Sequence, residues 1–307
     1  MSAARSGPLT PSVRVTLKNI LVTTDFSPCS EAAVKIAASM ARRHQSQLIV
    51  LHTIPAEPML ETPMQPNTWD YEHVREDADR AMEDLRNSPA LIGLKVKTLS
   101  AAGDVLRVTR QLASEEKVDL VVLGTHGRTG FRKVLMGSVA EEVERLLCGP
   151  VITVGPSVRA DRLGQGPFRS ILYATDFSGG SEHALRYALS FAHESGATVH
   201  LLHVIVEEMV TAFYLHDEME RNCRQRLARL VPAGLLPSEP DIIVATGVPP
   251  ETIIKQATLT DADLIVMGIH QSGLRGAQAS AHIPWSVANT VVAHAPCPVL
   301  TVCGKMS

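Results

Sequence analysis

Cysteine is sparse in this chain: Cys29, Cys148, Cys223, Cys297 and Cys303 are an odd number, and no two form a CxxC pair. Such spacing excludes a disulfide framework and a thiolate zinc site, and fits a reducing cytoplasm. Long apolar runs are missing as well. Segments such as Asp119–Gly124 stay far below the roughly 18 residues of a membrane-spanning helix, so no membrane is expected as a partner. Nor is there an excess of positive charge, with 29 Lys plus Arg against 32 Asp plus Glu. Counterion-releasing contacts to nucleic acid draw on such an excess, so no nucleic acid is expected either. The first 24 residues hold three basic and no acidic residues. They lack an apolar core with a cleavage site, so residues 1–16 read as a flexible tail.

With 45% apolar and 20% charged residues the composition is globular, and 307 residues suggest two domains. A repeat explains the number. The string ILVTTDFS at 20–27 returns as ILYATDFS at 171–178, and Leu51-His52 returns as Leu202-His203, at an offset of 151. The offset becomes 144 for DLVVLG at 119–124 against DLIVMG at 263–268, and 148 for PVITV at 150–154 against PVLTV at 298–302. Colinear blocks with small indels mean a tandem duplication. Helical faces repeat too: Ala33, Ile36, Ala37, Met40 and Ala41 match Ala184, Tyr187, Ala188, Phe191 and Ala192, one buried stripe in each case.

In the first half strands are expected near 18–24, 47–53, 94–99, 119–124 and 151–154. Most are apolar on both faces and are separated by helices, which predicts an α/β fold of two tandem, doubly wound, mainly parallel five-stranded sheets. The expected domains are residues 17–155 and 169–304, joined by a Gly- and Pro-rich linker at 156–168.

In such sheets ligands sit beyond the carboxyl ends of the strands, near the switch in strand order. After Leu123 the chain reads Gly124-Thr-His-Gly127, then nine residues, then Gly137-Ser138 at the start of a helical pattern carrying Val139, Val143, Leu146 and Leu147 on one stripe. One reading is a phosphate cradle: glycines allow close backbone approach, the helix start presents N–H groups, Ser138 donates, and Arg128, Arg132 and Lys133 neutralise charge. The other is that the glycines only turn the chain and Ser138 only caps the helix. The residues alone leave both open. Neither a Walker A loop nor a GxGxxG after the first strand is present.

The pattern G-x2-G-x9-G-S/T, met by Gly124, Gly127, Gly137 and Ser138, resembles the nucleotide-binding pattern of the universal stress protein family. The Thr24-Asp25-Phe26-Ser27 opening, the Leu51-His52 strand, Gly103 and the Gly149-Pro150-Val151 entry to the last strand resemble it too, over about 17–303. The resemblance implies a Rossmann-like, adenine nucleotide alpha hydrolase-like sheet holding ATP. Thr24 and Asp25 would lie near the adenosine, and the main chain at Thr53 would face the adenine. Gly124 would lie under the ribose, with Gly127, Arg128, Gly137, Ser138 and Val139 around the phosphates. Mg2+ or Mn2+ would be bound through the phosphates. Dimerisation through the last strand is also implied, met here inside one chain as a pseudo-dimer, with a homodimer of two chains as a further expectation.

The second half keeps Asp176, His203, Gly247 and Gly268 but reads Gly268-Ile-His-Gln271, and the stretch to Ser286 is four residues longer. Pro284-Trp285 stands before that serine, where an indole obstructs and proline removes an N–H. No ATP is expected there. Gly273 and Gly276 in the insertion at 271–285 read as surface loop or as a different anion loop. Asp176 reads as the cap of the following helix.

Among the remaining candidates, His126 could be a general base or could simply pack beside the nucleotide, and His52 and His203 read as structural strand ends. The Pro-rich stretch from Pro55 to Tyr71 reads as a lid, a docking strip or a plain crossover. Its counterpart, Glu207 to about Leu230, reads as helix-like with Phe213, Tyr214, Cys223, Leu227 and Leu230, for core packing or, as the alternative, for a membrane or small hydrophobic ligand. The function expected is an ATP-binding stress-response regulator or adaptor with a protein partner the residues do not name. A slow ATPase or nucleotidyl-transfer enzyme in the same pocket, and an adaptor without nucleotide, are the alternatives.

Overall fold

The computed structural model describes residues 14–54, 71–125, 149–159, 168–206, 213–269 and 285–303. In the first half these form β1 (Asn19–Thr24), α1 (Pro28–His44), β2 (Gln47–Ile54), α2 (Tyr71–Arg86), β3 (Lys95–Ala102), α3 (Val105–Glu115), β4 (Leu120–Gly124) and β5 (Pro150–Val154). The second half repeats them as β6 (Ser170–Ala174), α4 (Gly179–Ser195), β7 (Thr198–Ile205), α5 (Phe213–Ala228), β8 (Asp241–Thr246), α6 (Pro249–Leu259), β9 (Leu264–Ile269), α7 (Trp285–His294) and β10 (Val299–Cys303).

The two five-stranded halves share one ten-stranded sheet, ordered β3-β2-β1-β4-β5-β10-β9-β6-β7-β8. Pairing is parallel within each half, as two-sided apolar strands require. It is antiparallel only where β5 meets β10. The last strands, which would otherwise be open edges, therefore cover each other inside one chain.

Alternation along each strand divides the apolar side chains between two cores. Ile20, Val22, Leu48 and Val50 face α1 and, in the same continuous layer, α2, α4 and α5. Leu21, Ile49 and Leu51 lie in the opposite layer, with α3, α6 and α7. Leu227 of α5 is fully buried in the first layer, which settles its packing role.

The signals that start and stop α1 are local. Ser27 accepts the Ser30 N–H as N-cap, Pro28 follows, Glu31 lies in the first turn, and Arg42, Arg43 and His44 crowd the last, favouring the helix dipole. Its end falls at Gln45 in the left-handed region; α4 ends at Gly196 in the same conformation.

Candidate functional site

β1 lies between β2 and β4, so the chain leaves β1 toward one side of the sheet and returns through β4 on the other. In a sheet with this strand order the switch point lies at the carboxyl ends of these two strands, where a ligand crevice is expected. Register puts the expected residues there together. Thr24 pairs with His52, and Val22 pairs with Val122, so Thr24, His52 and Gly124 stand at one level and Thr53 lies one residue beyond it.

The loop after β1 is held by its own hydroxyls and carboxylate. Thr24 Oγ1 lies 3.2 Å from Ser30 Oγ and accepts the Phe26 N–H at 3.1 Å. Asp25 Oδ1 accepts the Ser27 N–H at 3.1 Å, and Ser30 Oγ donates to Ser27 C=O at 2.9 Å. This scaffold keeps Phe26 at φ 62°, a left-handed conformation that costs a bulky residue energy. The Phe26 ring lies 4.7 Å from that of His52, whose Nδ1 donates to the Thr24 carbonyl at 2.8 Å. A carbonyl only accepts, so Nδ1 carries a proton and His52 ties β2 to the end of β1.

β2 runs two residues past the last pairing with β1. The Ile54 carbonyl accepts the Gly103 N–H on the β3 side at 2.9 Å. Main-chain groups alternate sides along a strand, so those of Thr53 turn toward the β1 side, just beyond the end of β1. That places a peptide edge in the crevice, able to read a planar donor–acceptor pattern.

Gly124 has a reason the sequence did not reveal. A Cβ there would lie 2.8 Å from the Cys29 carbonyl carbon and 2.9 Å from the Ser30 nitrogen, both backbone of the first turn of α1. Gly268 meets α4 in the same way, with a built Cβ 2.4 Å from Gly180 C and Ser181 N. Thr125, the next residue, is buried and donates its N–H to Val154 C=O at 3.0 Å, fixing where the loop departs.

The same loop is rebuilt after β6. Phe177 has φ 61°, its ring lies 4.4 Å from His203, and His203 Nδ1 donates to Thr175 C=O at 2.8 Å. Burial holds the His203 pKa below its ordinary value, so the ring is neutral at pH 7. One expectation is corrected: Asp176 is not the cap of α4. Ser178 caps it by accepting the Ser181 N–H. Asp176 Oδ1 instead accepts from Ser178 N–H at 3.0 Å and Ser181 Oγ at 2.6 Å, shaping the loop before the cap. The serines at 27, 30, 178 and 181 were the missed contributors; their repeated S-x-x-S spacing was the available signal.

Thr24, Asp25, Thr53 and Gly124 thus converge at one edge. Gly127, Arg128, Gly137, Ser138 and Val139 lie outside the described residues, as do His126, Arg132, Lys133 and most of the Pro-rich stretch. In the second half α7 begins at Trp285, the counterpart of Gly137, with Pro284 before it. Among the described residues no three His, Cys, Asp or Glu side chains gather into a metal site, and no helix is long and apolar enough to cross a membrane.

Comparison with known proteins matches residues 16–155 and again 167–302 to the model of the universal stress protein family. Universal stress protein Rv1996 of Mycobacterium tuberculosis is 26% identical over 323 aligned positions, covering 94% of this chain and 96% of that protein. The crystal structure of a universal stress protein from Archaeoglobus fulgidus superposes at a TM-score of 0.66 and 20% identity, covering 95% of this chain and 99% of the other. A universal stress protein solved in complex with cAMP is 25% identical over 46% of this chain and 98% of its own, at a TM-score of 0.32.

Proposed function

Because the chain belongs to the universal stress protein family through both of its halves, we propose that it is a nucleotide-responsive regulator or adaptor holding ATP at the carboxyl edge of β1, β2 and β4. The observation that carries this reading is the Thr53 main chain, on the β1 side of β2 and one residue beyond the level that Thr24 shares with Gly124. The G-x2-G-x9-G-S pattern continues from that glycine. The donor set at this edge suits an adenine and a ribose: peptide N–H and C=O, the Thr24 and Asp25 loop, and no competing cation among the described groups. Phosphates would fall to Gly127, Arg128, Gly137, Ser138 and Val139. A divalent Mg2+ or Mn2+ would come with the nucleotide and screen its phosphate charge.

The second half keeps the loop scaffold but opens α7 with Trp285 after Pro284, and we assign it a structural part without ATP. As a ligand that is not consumed, ATP would act by binding one conformation of the first half better than another, with a protein partner reading the difference. Among the described cysteines Cys29, Cys223, Cys297 and Cys303 form no disulfide. Burial pushes the Cys297 thiol up to about 12; inert thiols of this kind fit a cytoplasmic protein.

The test is to purify the chain, identify nucleotide released on denaturation, and measure ATP binding and turnover with Mg2+ or Mn2+. Binding without turnover is expected. Gly137→Trp should abolish binding and Asp176→Ala should leave it intact. No binding at millimolar ATP overturns the proposal, and binding lost through Asp176→Ala alone would assign the site to the other half.

A further inference from the structure

The β5–β10 register poses a question of partner choice. Ile152 lies opposite Leu300, Val151 opposite Thr301 and Thr153 opposite Val299. In the duplication Ile152 is equivalent to Leu300, and Val151 to Val299, so the pairing is symmetric about its centre. By backbone alone the first half could pair as well with the first half of a second copy, as isologous contacts do.

The flanking side chains break that symmetry. Glu194 at the end of α4 is equivalent to Arg43 at the end of α1, and the two meet: Arg43 Nη2 donates to the Glu194 carbonyl at 3.0 Å. The Glu194 carboxylate lies 3.4 Å from His44 Nε2 and 3.7 Å from Arg14 Nε, and it accepts from Ser190 Oγ at 3.2 Å. Ser190 Oγ in turn accepts the Val15 N–H at 2.8 Å. Its counterpart in α1 is Ser39, which carries the same hydroxyl, so this bond does not tell the halves apart and the charge at 43 and 194 does. Pairing two first halves would present Arg43 to Arg14 and take from Arg14 and His44 the carboxylate that both now meet, and like charges brought together select against a partner. Pairing two second halves fails sterically. Gly155 at the end of β5 sits so close to α7 that a Cβ would lie 2.5 Å from the Val292 carbonyl oxygen. Its counterpart is Cys303, which has a Cβ.

We propose that the central seam accepts only unlike halves: the β5 edge with Arg43 and Gly155 fits the β10 edge with Glu194 and α7, and no second copy of itself. Any two-chain assembly through this seam must then be a reciprocal exchange of first and second halves.

The test uses the full-length chain. Residues directly opposite in an antiparallel pair have Cα atoms about 4.5–5.5 Å apart, within disulfide reach. Ile152→Cys with Leu300→Cys should oxidise to a bond within one chain, seen as a faster-running monomer on a non-reducing gel. Ile152→Cys alone should give no covalent dimer beyond wild type, because only like-with-like pairing sets position 152 against itself. A reductant-sensitive dimer from the single variant would overturn the proposal. Glu194→Arg should lower the thermal midpoint, and adding Arg43→Glu should recover part of that loss. A wild-type midpoint for Glu194→Arg, or a double variant falling by the sum of the two single losses, would also overturn it. If Glu194→Arg fails to fold, Glu194→Gln carries the same reading with a smaller loss, and an unchanged midpoint there counts against the proposal.

Discussion

Replacing Gly124 by alanine separates two roles for one glycine. The added methyl would lie 2.8 Å, 2.9 Å and 3.0 Å from Cys29 C, Ser30 N and Cys29 Cβ, roughly half an ångström inside ordinary contact. The obstacles are backbone of a capped helix turn and cannot rotate away, so α1 must shift off β4 or the strand must bend. Overpacking of this kind costs about 1–3 kcal/mol. At roughly 2–4 °C per kcal/mol for a chain of this size, the midpoint should fall by several degrees. Gly268→Ala should cost more, since its methyl would approach Gly180 C and Ser181 N at 2.4 Å. The assay is thermal or denaturant unfolding of both variants after removal of nucleotide. Loss in the nucleotide-free protein, larger for Gly268→Ala, is the expected result. A wild-type midpoint for Gly124→Ala without nucleotide would refute the packing argument and leave ligand approach as the reason for the glycine.

Acid should weaken the fold before carboxylates protonate. Burial is the largest cause holding the pKa values of His44, His200 and His203 below 6.5. The unfolded chain therefore binds protons that the folded chain refuses, and stability is full above about pH 6.5 and declines below it. Denaturant midpoints at constant ionic strength should fall from pH 7 toward pH 5, and a flat profile would contradict this. Removing a helix cap through Ser27→Ala or Ser178→Ala should each cost about 1 kcal/mol by equilibrium unfolding; no loss would mean that another group caps the helix. Tyr173→Phe deletes a buried hydroxyl that donates to the Ser181 carbonyl at 2.7 Å. It should cost about 1 kcal/mol, which a urea titration would resolve.

The duplication and the parallel halves were readable because each rests on local pattern, repeated strings, two-sided apolar runs and helical stripes, whereas the seam between last strands was expected only from the family resemblance. Features that depend on distant neighbours were not. The packing at Gly124 was hidden because nothing near it in sequence reveals that Cys29 and Ser30, on another element, press against its α-carbon. Asp176 looked like a cap because it precedes a helix, whereas the side chain two residues later has the geometry to accept from the first turn. The meeting of Arg43 and Glu194 at the seam is equally non-local, since the two lie 151 residues apart and only the sheet brings them together.

The Thr-Asp-Phe-Ser loop has the same left-handed phenylalanine, the same histidine-to-carbonyl bond and the same serine cap in both halves. Only one half continues into the full glycine pattern. A loop that forms with these shared features in both halves is explained by its own hydrogen bonds. On the proposed function, the positions that decide ligand binding are those where the halves differ: Gly127 against Gln271 and Gly137 against Trp285. Exchanging the second pair in both directions tests this directly. Gly137→Trp should lose ATP. Trp285→Gly alone should not gain it, because Gln271, Pro284 and the four-residue insertion remain; ATP binding in the second half after that single change would show that the indole was the only obstacle.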